Sequence, residues 1–389
     1  MTPQDERRAR LALVLPDGTP VGLTAAFRID SPYEQDAAAI VDAARGALGI
    51  DVVLLRIAAW SVPDAVYTAE VADIPAIALD PVDPAFVADD PLRLTWARPG
   101  GPGEYLAWAR EALADIGRPA VGDPVQVRSW NLSTLWMLPT SAGPVWLKAV
   151  PSFFAHEGAL LERLSAFPVP RLIARTADAV LIAEVPGDDR YDPPIGAACR
   201  MVDLLIDIQT SVDPATLPPM PAWTPASLAP VAERTLRLAP EVAPADRDAV
   251  STIIDGLPEL QPSLDACGLS DTLVHGDFHG GNVRGDDDHL VILDWGDSGI
   301  GHPLLDVAAF TERMPPPFAA RVTEHWLAAW RRAVPGSDPA RALELVRPYA
   351  AVRQATLYRA FLDRIEPSEH PYHAQDPAMW LARAAELTR

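Results

Sequence analysis

The sequence predicts an α+β chain, β-rich up to about residue 187 and mostly helical beyond it, organised around one acid-bearing hairpin. Three features predict this. Short apolar runs separated by Gly, Pro and Asp fill the first part, the signature of strands and turns. Long segments with apolar residues at helical spacing fill the second. Within that second part, 273–308 reads LVHGDFHGGNVRGDDDHLVILDWGDSGIGHPLLDVA, where acids, glycines and an Asn crowd together between apolar flanks. Such a mixture is costly in a core and useful in a site.

Residues 1–120 read as a small α+β domain. Apolar runs at 11–14 and 21–26 flank Asp17-Gly18, a hairpin turn. The Ala-rich stretch 33–48 is helical, 52–57 and 66–71 are strands, 81–102 is Pro-rich, 104–116 is helical, and 117–124 is a linker. The first helix carries only Glu34, Asp36 and Asp42, not the glutamate cluster that hydrolysis of nucleoside diphosphates would need. This part is therefore read as structural or regulatory.

From Val125 two strands joined by a turn at 140–143 place Lys148 on the second. A helix at 155–164 follows, with Leu160, Leu161 and Leu164 on its apolar side beside Glu157. A strand Lys followed by a helical Glu can form the ion pair that holds an amine against nucleotide phosphates. A strand begins near 167 and another ends at Pro186-Gly187, which suits a connection between lobes. Helices are expected at 201–211, 231–238, 244–266, 319–333, 341–365 and 376–388.

The central stretch reads as strand, loop, strand, turn, strand. Leu273-Val274 leads into His275-Gly276-Asp277, a loop reaches Asn282-Val283, 285–288 turn, and 289–293 return to Asp294. This hairpin would carry Asp277, Asn282 and Asp294 at one end, two carboxylates and an amide that offer oxygen ligands to a hard cation such as Mg²⁺.

Composition excludes several classes. A net charge of −21 argues against nucleic acid and anionic membranes as partners, because phosphate surfaces require clustered Lys and Arg. Cys199 and Cys267 stand far apart, without metal or redox spacing. No run approaches the roughly 18 apolar residues of a membrane helix, and 11–15 is too short for a signal core, so a cytoplasmic protein is expected. Among 32 basic residues the only lysine is Lys148. In a chain that otherwise uses Arg throughout, a single Lys marks a place where a guanidinium cannot substitute.

From about Val125 onward the chain resembles the aminoglycoside phosphotransferase family, small-molecule relatives of the protein kinases that include choline and fructosamine kinases. His275-Gly-Asp277-Phe-His-Gly-Gly-Asn282 matches the catalytic HGDxxxxN loop, and Ile292-Leu-Asp294-Trp the metal-binding element after it. The resemblance implies a bilobal protein-kinase-like fold, with a β-rich N-lobe at 121–187 and a helical C-lobe at 188–389. It implies that Asp277 is the catalytic base toward a substrate hydroxyl and that Asn282 and Asp294 hold Mg²⁺. Lys148 would contact ATP phosphates with Glu157 orienting it, while the backbone of Ala183, Glu184 and Val185 would meet adenine. The phosphate-covering loop 129–134 lacks glycine, so the cradle would rely on the hydroxyls of Ser133 and Thr134. The implied activity is transfer of the γ-phosphate of ATP to a small-molecule hydroxyl, with an amino sugar or other aminoglycoside-like amine as the candidate acceptor. Glu312, Asp363 and Glu366 are the acids available to face such a cation.

Two rivals are carried forward. His275, Asp277 and His279 spell H-x-D-x-H, the seed of a metal-dependent hydrolase, with His289 or His302 as further ligands; against it, His275 also reads as a structural histidine bonded to the loop backbone. A catalytically silent kinase-like nucleotide-binding protein would have lost a key group, whereas Lys148, Asp277, Asn282 and Asp294 are all present. Neither a G-x-S-x-G elbow nor a Walker loop occurs. Asp297 reads as a substrate or metal contact or as a turn-capping acid, and Asp306 as the anchor of the hairpin to a helix.

Overall fold

A computed structural model describes residues 7–60, 64–286 and 288–389. The described residues form two compact units. The first holds the chain up to Ala155 together with Leu172–Glu184 and Leu362–Tyr372; the second holds His156–Arg171, Val185–Phe361 and His373–Arg389. Each mixes helices and strands, as the sequence predicts.

The first unit contains two five-stranded sheets. In one, Arg8–Val14 runs antiparallel to Pro20–Leu23 and Phe27–Arg28 and parallel to Asp64–Glu70, which pairs antiparallel with Val53–Ala59. The helix Ala37–Leu48 starts four residues later than 33–48 suggests, because Asp36 caps it by accepting from the Ala39 N–H. Leu11, Leu13, Ile40, Ala44, Leu54 and Tyr67 fill the core around it.

The second sheet is antiparallel throughout, in the order Val125–Trp130, Ser133–Leu138, Val145–Ala149, Ala179–Ala183, Leu172–Arg175. The stretch after Val125 is thus two strands rather than one, folded back where Trp130 pairs with Ser133. The helix Gly101–Asp115 lays Leu106, Ala109 and Leu113 against Trp136, Leu138, Leu147 and Leu181 of this sheet. It begins three residues before the predicted 104–116, since Pro102 suits a first helical turn where its missing N–H costs nothing.

Two side chains splice the sheets, Gln126 and Ser129, whose hydroxyl donates to Leu55 C=O at 3.2 Å. Gln126 accepts from Leu54 N–H at 2.8 Å and donates to Leu54 C=O at 2.7 Å, standing in for a neighbouring strand. The segment Leu362–Tyr372 packs here too. Glu366 binds Arg93 at 2.9 Å and lies 3.5 Å from Arg56, all three buried.

The second unit is mostly helical, with Ile195–Ser211, Pro225–Arg237, Pro244–Asp265, Pro316–Ala333, Pro339–Leu362 and Asp376–Glu386 as its long helices. Two small three-stranded sheets carry the central stretch. The predicted hairpin is present: Val283–Gly285 pairs antiparallel with Leu290–Ile292, and Asp188–Asp189 adds to its other edge. Of its turn, 285–288, Asp287 lies outside the described residues. The leading strand Thr272–Val274 belongs to the other small sheet, paired with Gly299–Gly301. Periodicity identifies a strand but not its partner.

Candidate active site

The loop 275–282 is held by buried groups that fix its backbone. Asp306, at the start of the helix Asp306–Thr311, is 1% exposed. Its carboxylate accepts from His275 N–H at 3.0 Å, Gly276 N–H at 2.8 Å and the Gln209 amide at 3.1 Å. Burial pushes the Asp306 carboxyl up, opposed by His275, the two backbone N–H groups and Arg353. This is the anchoring role expected of Asp306.

His275 is fully buried. Its Nε2 donates to the Leu293 carbonyl at 2.8 Å and its Nδ1 accepts from Asp277 N–H at 3.4 Å. With both ring nitrogens given to backbone, neither remains for a metal, and burial pushes its pKa down, keeping it neutral. The ring packs 4.6 Å from Trp295 and 5.8 Å from Phe278, above the Phe278–Phe310 stack. His302 is likewise buried and accepts from Leu304 N–H, while burial pushes its pKa down to about 4. His289 is exposed beside Asp286. Among the described residues no group of three or more His, Cys, Asp or Glu is placed to hold a metal ion. The hydrolase constellation is therefore not assembled among them.

Asp277 and Asn282 are joined directly, and the chain leading to Asp294 is bonded to Asn282. The Asn282 amide donates to the Asp277 carbonyl at 2.9 Å and carboxylate at 3.2 Å, which leaves the amide oxygen for another partner. Leu293 N–H donates to the Asn282 carbonyl at 2.8 Å, which brings the chain entering Asp294 beside it. Asp277 keeps 39% of its side chain exposed, with His279 Nε2 at 3.5 Å. Among the described residues Asp294 is the one non-glycine with positive φ, at φ 59° and ψ 66°. That conformation is disfavoured for a residue with a Cβ and persists where surroundings impose it, commonly at functional sites.

Glu157, on the first turn of the helix Glu157–Arg163, is buried and accepts from Trp295 N–H at 3.2 Å. It thus fixes the residue that follows Asp294. Lys148 lies in the other unit, on the central strand Val145–Ala149, between Leu135 and Val180. It shares the half-exposed face with Trp146, while Val145, Leu147 and Ala149 are buried.

The remaining nucleotide-binding candidates divide. Ala183 ends its strand opposite Val145, and the Glu184 carboxylate accepts from the Trp146 indole N–H. Val185 C=O accepts from Arg284 at 2.8 Å. One of the passages from one unit to the other falls between Glu184 and Val185, ahead of Pro186-Gly187. The hydroxyls of Ser133 and Thr134 bond within the hairpin. Ser133 accepts from the Trp130 indole at 3.1 Å; Thr134, 1% exposed, donates to Arg128 C=O and accepts from the Trp136 indole. Both hydroxyls thus take part in the hairpin, with the Ser133 O–H still able to donate.

Two of the acids expected to face a cationic acceptor are also occupied. Glu366 is buried with Arg93, and Glu312 pairs with Arg383 at 3.0 Å. What sequence reasoning missed is Arg353. It is a buried Arg one helical turn after the buried Tyr349, an arrangement whose only signal in sequence is a cation on an apolar helix face.

A β-sheet carrying a strand Lys and a helical region carrying an HGD loop whose Asp is bonded by an Asn are features of the kinase-like phosphotransferases. The family model described as "Phosphotransferase enzyme family" matches residues 126–382, and the chain belongs to that family. It is accordingly an enzyme of the small-molecule kinase class. Solved structures share the fold. A putative aminoglycoside phosphotransferase from Ralstonia eutropha JMP134 matches at 16% identity and TM-score 0.52, over 73% of this chain and 98% of that one. A thermostable mutant of aminoglycoside phosphotransferase APH(4)-Ia, in ternary complex with ADP and hygromycin B, matches at 17% and 0.50, over 71% and 96%. Macrolide 2'-phosphotransferase MphH from Brachybacterium faecium matches at 18% and 0.50, over 69% and 97%. No curated protein matches the chain. Among the described residues no helix is long and apolar enough to cross a membrane.

Proposed function

We propose that the chain transfers the γ-phosphate of ATP to a hydroxyl of a small, amine-bearing acceptor such as an amino sugar. The observation that carries this is the Asn282 amide bonded to the Asp277 carboxylate while Asp294, in a left-handed conformation, follows two residues after the strand paired with Val283–Gly285. Phosphoryl transfer requires positioning and charge neutralisation more than covalent chemistry from the protein. The partly exposed Asp277 carboxylate takes the proton of the acceptor hydroxyl as that oxygen bonds to the γ-phosphorus, and the bond from phosphorus to ADP breaks.

The donor set fits Mg²⁺, since Asn282 has a spare amide oxygen and Asp294 an exposed carboxylate, both hard oxygen ligands. Bound there, Mg²⁺ would neutralise phosphate charge. Lys148 would supply a cation for nucleotide phosphates, and the Ala183–Glu184–Val185 backbone would bind adenine. Glu157, bonded to Trp295 N–H, holds the metal-side loop in place. The phosphate-covering loop would act through the backbone of its turn and the Ser133 hydroxyl, while the Thr134 hydroxyl is bonded within the hairpin. A net charge of −21 favours a cationic acceptor. The ADP and hygromycin B complex of the APH(4)-Ia mutant supports a nucleotide and an aminoglycoside as the pair of ligands.

The test is ATP consumption with Mg²⁺ across amino sugars, aminoglycosides, choline and neutral sugars. Turnover that depends on an amine-bearing acceptor is expected. Tightly bound zinc with no nucleotide binding would point instead to hydrolysis.

A further inference from the structure

Helix Pro339–Leu362 sends Arg353 into the centre of the second unit, 3% exposed. Its guanidinium donates to Gly276 C=O at 2.8 Å through Nη1 and to Asp297 C=O at 3.1 Å through Nη2. Those carbonyls belong to different loops, one directly before Asp277 and the other three residues after Asp294. The guanidinium lies 4.5 Å from the centre of the Trp223 ring, and Tyr349, four residues earlier on the helix, donates to Trp223 C=O. The ring is itself seated on backbone: a Cβ at Gly299 would overlap the indole, and Ile300 N–H bonds Pro221 C=O at 2.9 Å. Nη1 also donates to the Gln354 side chain at 2.9 Å. The fork is thus held from one side by Trp223 and grips two loops on the other.

We propose that Arg353 is a positioning residue for phosphoryl transfer, a rigid fork that sets the spacing between the loop of the base and the loop of the metal ligand. The inference rests on the roles proposed for Asp277 and Asp294. A planar guanidinium with donors in fixed geometry can take one carbonyl from each loop at once, whereas a lysine ammonium on its flexible stem has no such fork. Asp306 grips the same loop through its N–H groups, so the backbone around Gly276 is bound by an anion at its donors and a cation at its acceptor. Gly276 has φ +90°, and a Cβ there would overlap Asp297 C=O and come within 2.6 Å of Arg353 Nη2, so the three fit only with glycine.

The test compares Arg353→Lys and Arg353→Ala with the wild type, per folded molecule. Loss of loop spacing lowers kcat by about 100-fold, the order of effect expected of a misplacement near 1 Å, while KM for ATP stays within about twofold. Guanidinium ion at non-denaturing concentration restores part of the Arg353→Ala rate, and sodium chloride at equal ionic strength does not. A lower melting temperature with unchanged kcat in Arg353→Lys would mean that Arg353 only packs, and overturns the proposal. If neither variant folds, Trp223→Phe, which weakens the stacking surface, must lower kcat at constant KM, or the proposal falls. A second readout separates this inference from the functional one: the Mg²⁺ concentration needed for AMP-PNP binding. If the wild type phosphorylates no acceptor yet the Mg²⁺ requirement shifts in Arg353→Lys, the acceptor reaction is wrong and the fork stands. An unshifted requirement together with unchanged kcat removes the fork.

Discussion

At the scale of single residues, the site depends on side chains that each have one chemical use. Lys148 is the sharpest case, as the only lysine among 32 basic residues and half-exposed on the central strand of its sheet. Lys148→Arg keeps the charge but spreads it over a wider planar group. Activity is expected to fall by about 10- to 100-fold with the melting temperature unchanged, because a misplaced charge costs rate rather than packing. Steady-state kinetics and thermal melting read the two effects separately, and near-normal turnover would remove Lys148 from the mechanism. His275 shows the opposite lesson. In sequence it offers a metal ligand as readily as a structural ring, and only the Leu293 carbonyl on Nε2 and the Asp277 N–H on Nδ1 decide between them.

At the scale of elements, what could be read from sequence was what is local. The hairpin Val283–Gly285 with Leu290–Ile292 and the bond from Asn282 to Asp277 join residues near one another in sequence, so alternation and turn chemistry suffice to place them. Partners distant in sequence left no pattern. Thr272–Val274 looks like part of the hairpin but pairs with Gly299–Gly301, and Gln126 reaches Leu54 across 72 positions. Arg353 joins Gly276 across 77. Gln126→Ala would leave the N–H and C=O of the fully buried Leu54 without their side-chain partners. At about 1–3 kcal/mol for each of the two stranded groups, a loss of about 2–6 kcal/mol is expected, read as a lower urea midpoint at constant slope. A loss under about 0.5 kcal/mol would show that Gln126 does not splice the sheets.

At the scale of the whole molecule, the chain leaves the helical unit at Leu362, contributes Leu362–Tyr372 to the first unit, and returns at His373. That excursion buries Glu366 and Glu369 with Arg56 and Arg93. Burial pushes Glu369 from 4.5 up to about 8, with Glu366 adding to the shift and Arg56 opposing it. An acid whose pKa is raised by folding keeps its proton in the folded state after the unfolded chain has lost it. Its contribution to stability therefore falls as pH rises from about 4.5 to about 8 and is level above that. Histidines held neutral by burial, such as His302, act in the other direction, so the wild-type profile alone mixes the two. The difference between Glu369→Gln and wild type isolates Glu369. Relative to wild type, the variant is expected to gain stability across that interval, as followed by thermal melting at successive pH values. A difference independent of pH would contradict the assignment.

The central claim is that the loop around Asp277 performs phosphoryl transfer to an acceptor hydroxyl. Transfer of labelled γ-phosphate from ATP to an amine-bearing acceptor, compared between wild type and Asp277→Ala at equal folded protein, tests it most directly. The wild type should label the acceptor. Asp277→Ala should lose about 10²- to 10⁴-fold, the range for a positioned general base, while Mg²⁺-dependent binding of AMP-PNP is retained. Labelling by Asp277→Ala at the wild-type rate, or no acceptor-dependent labelling by the wild type together with no effect of Mg-ATP on its melting temperature, would contradict it.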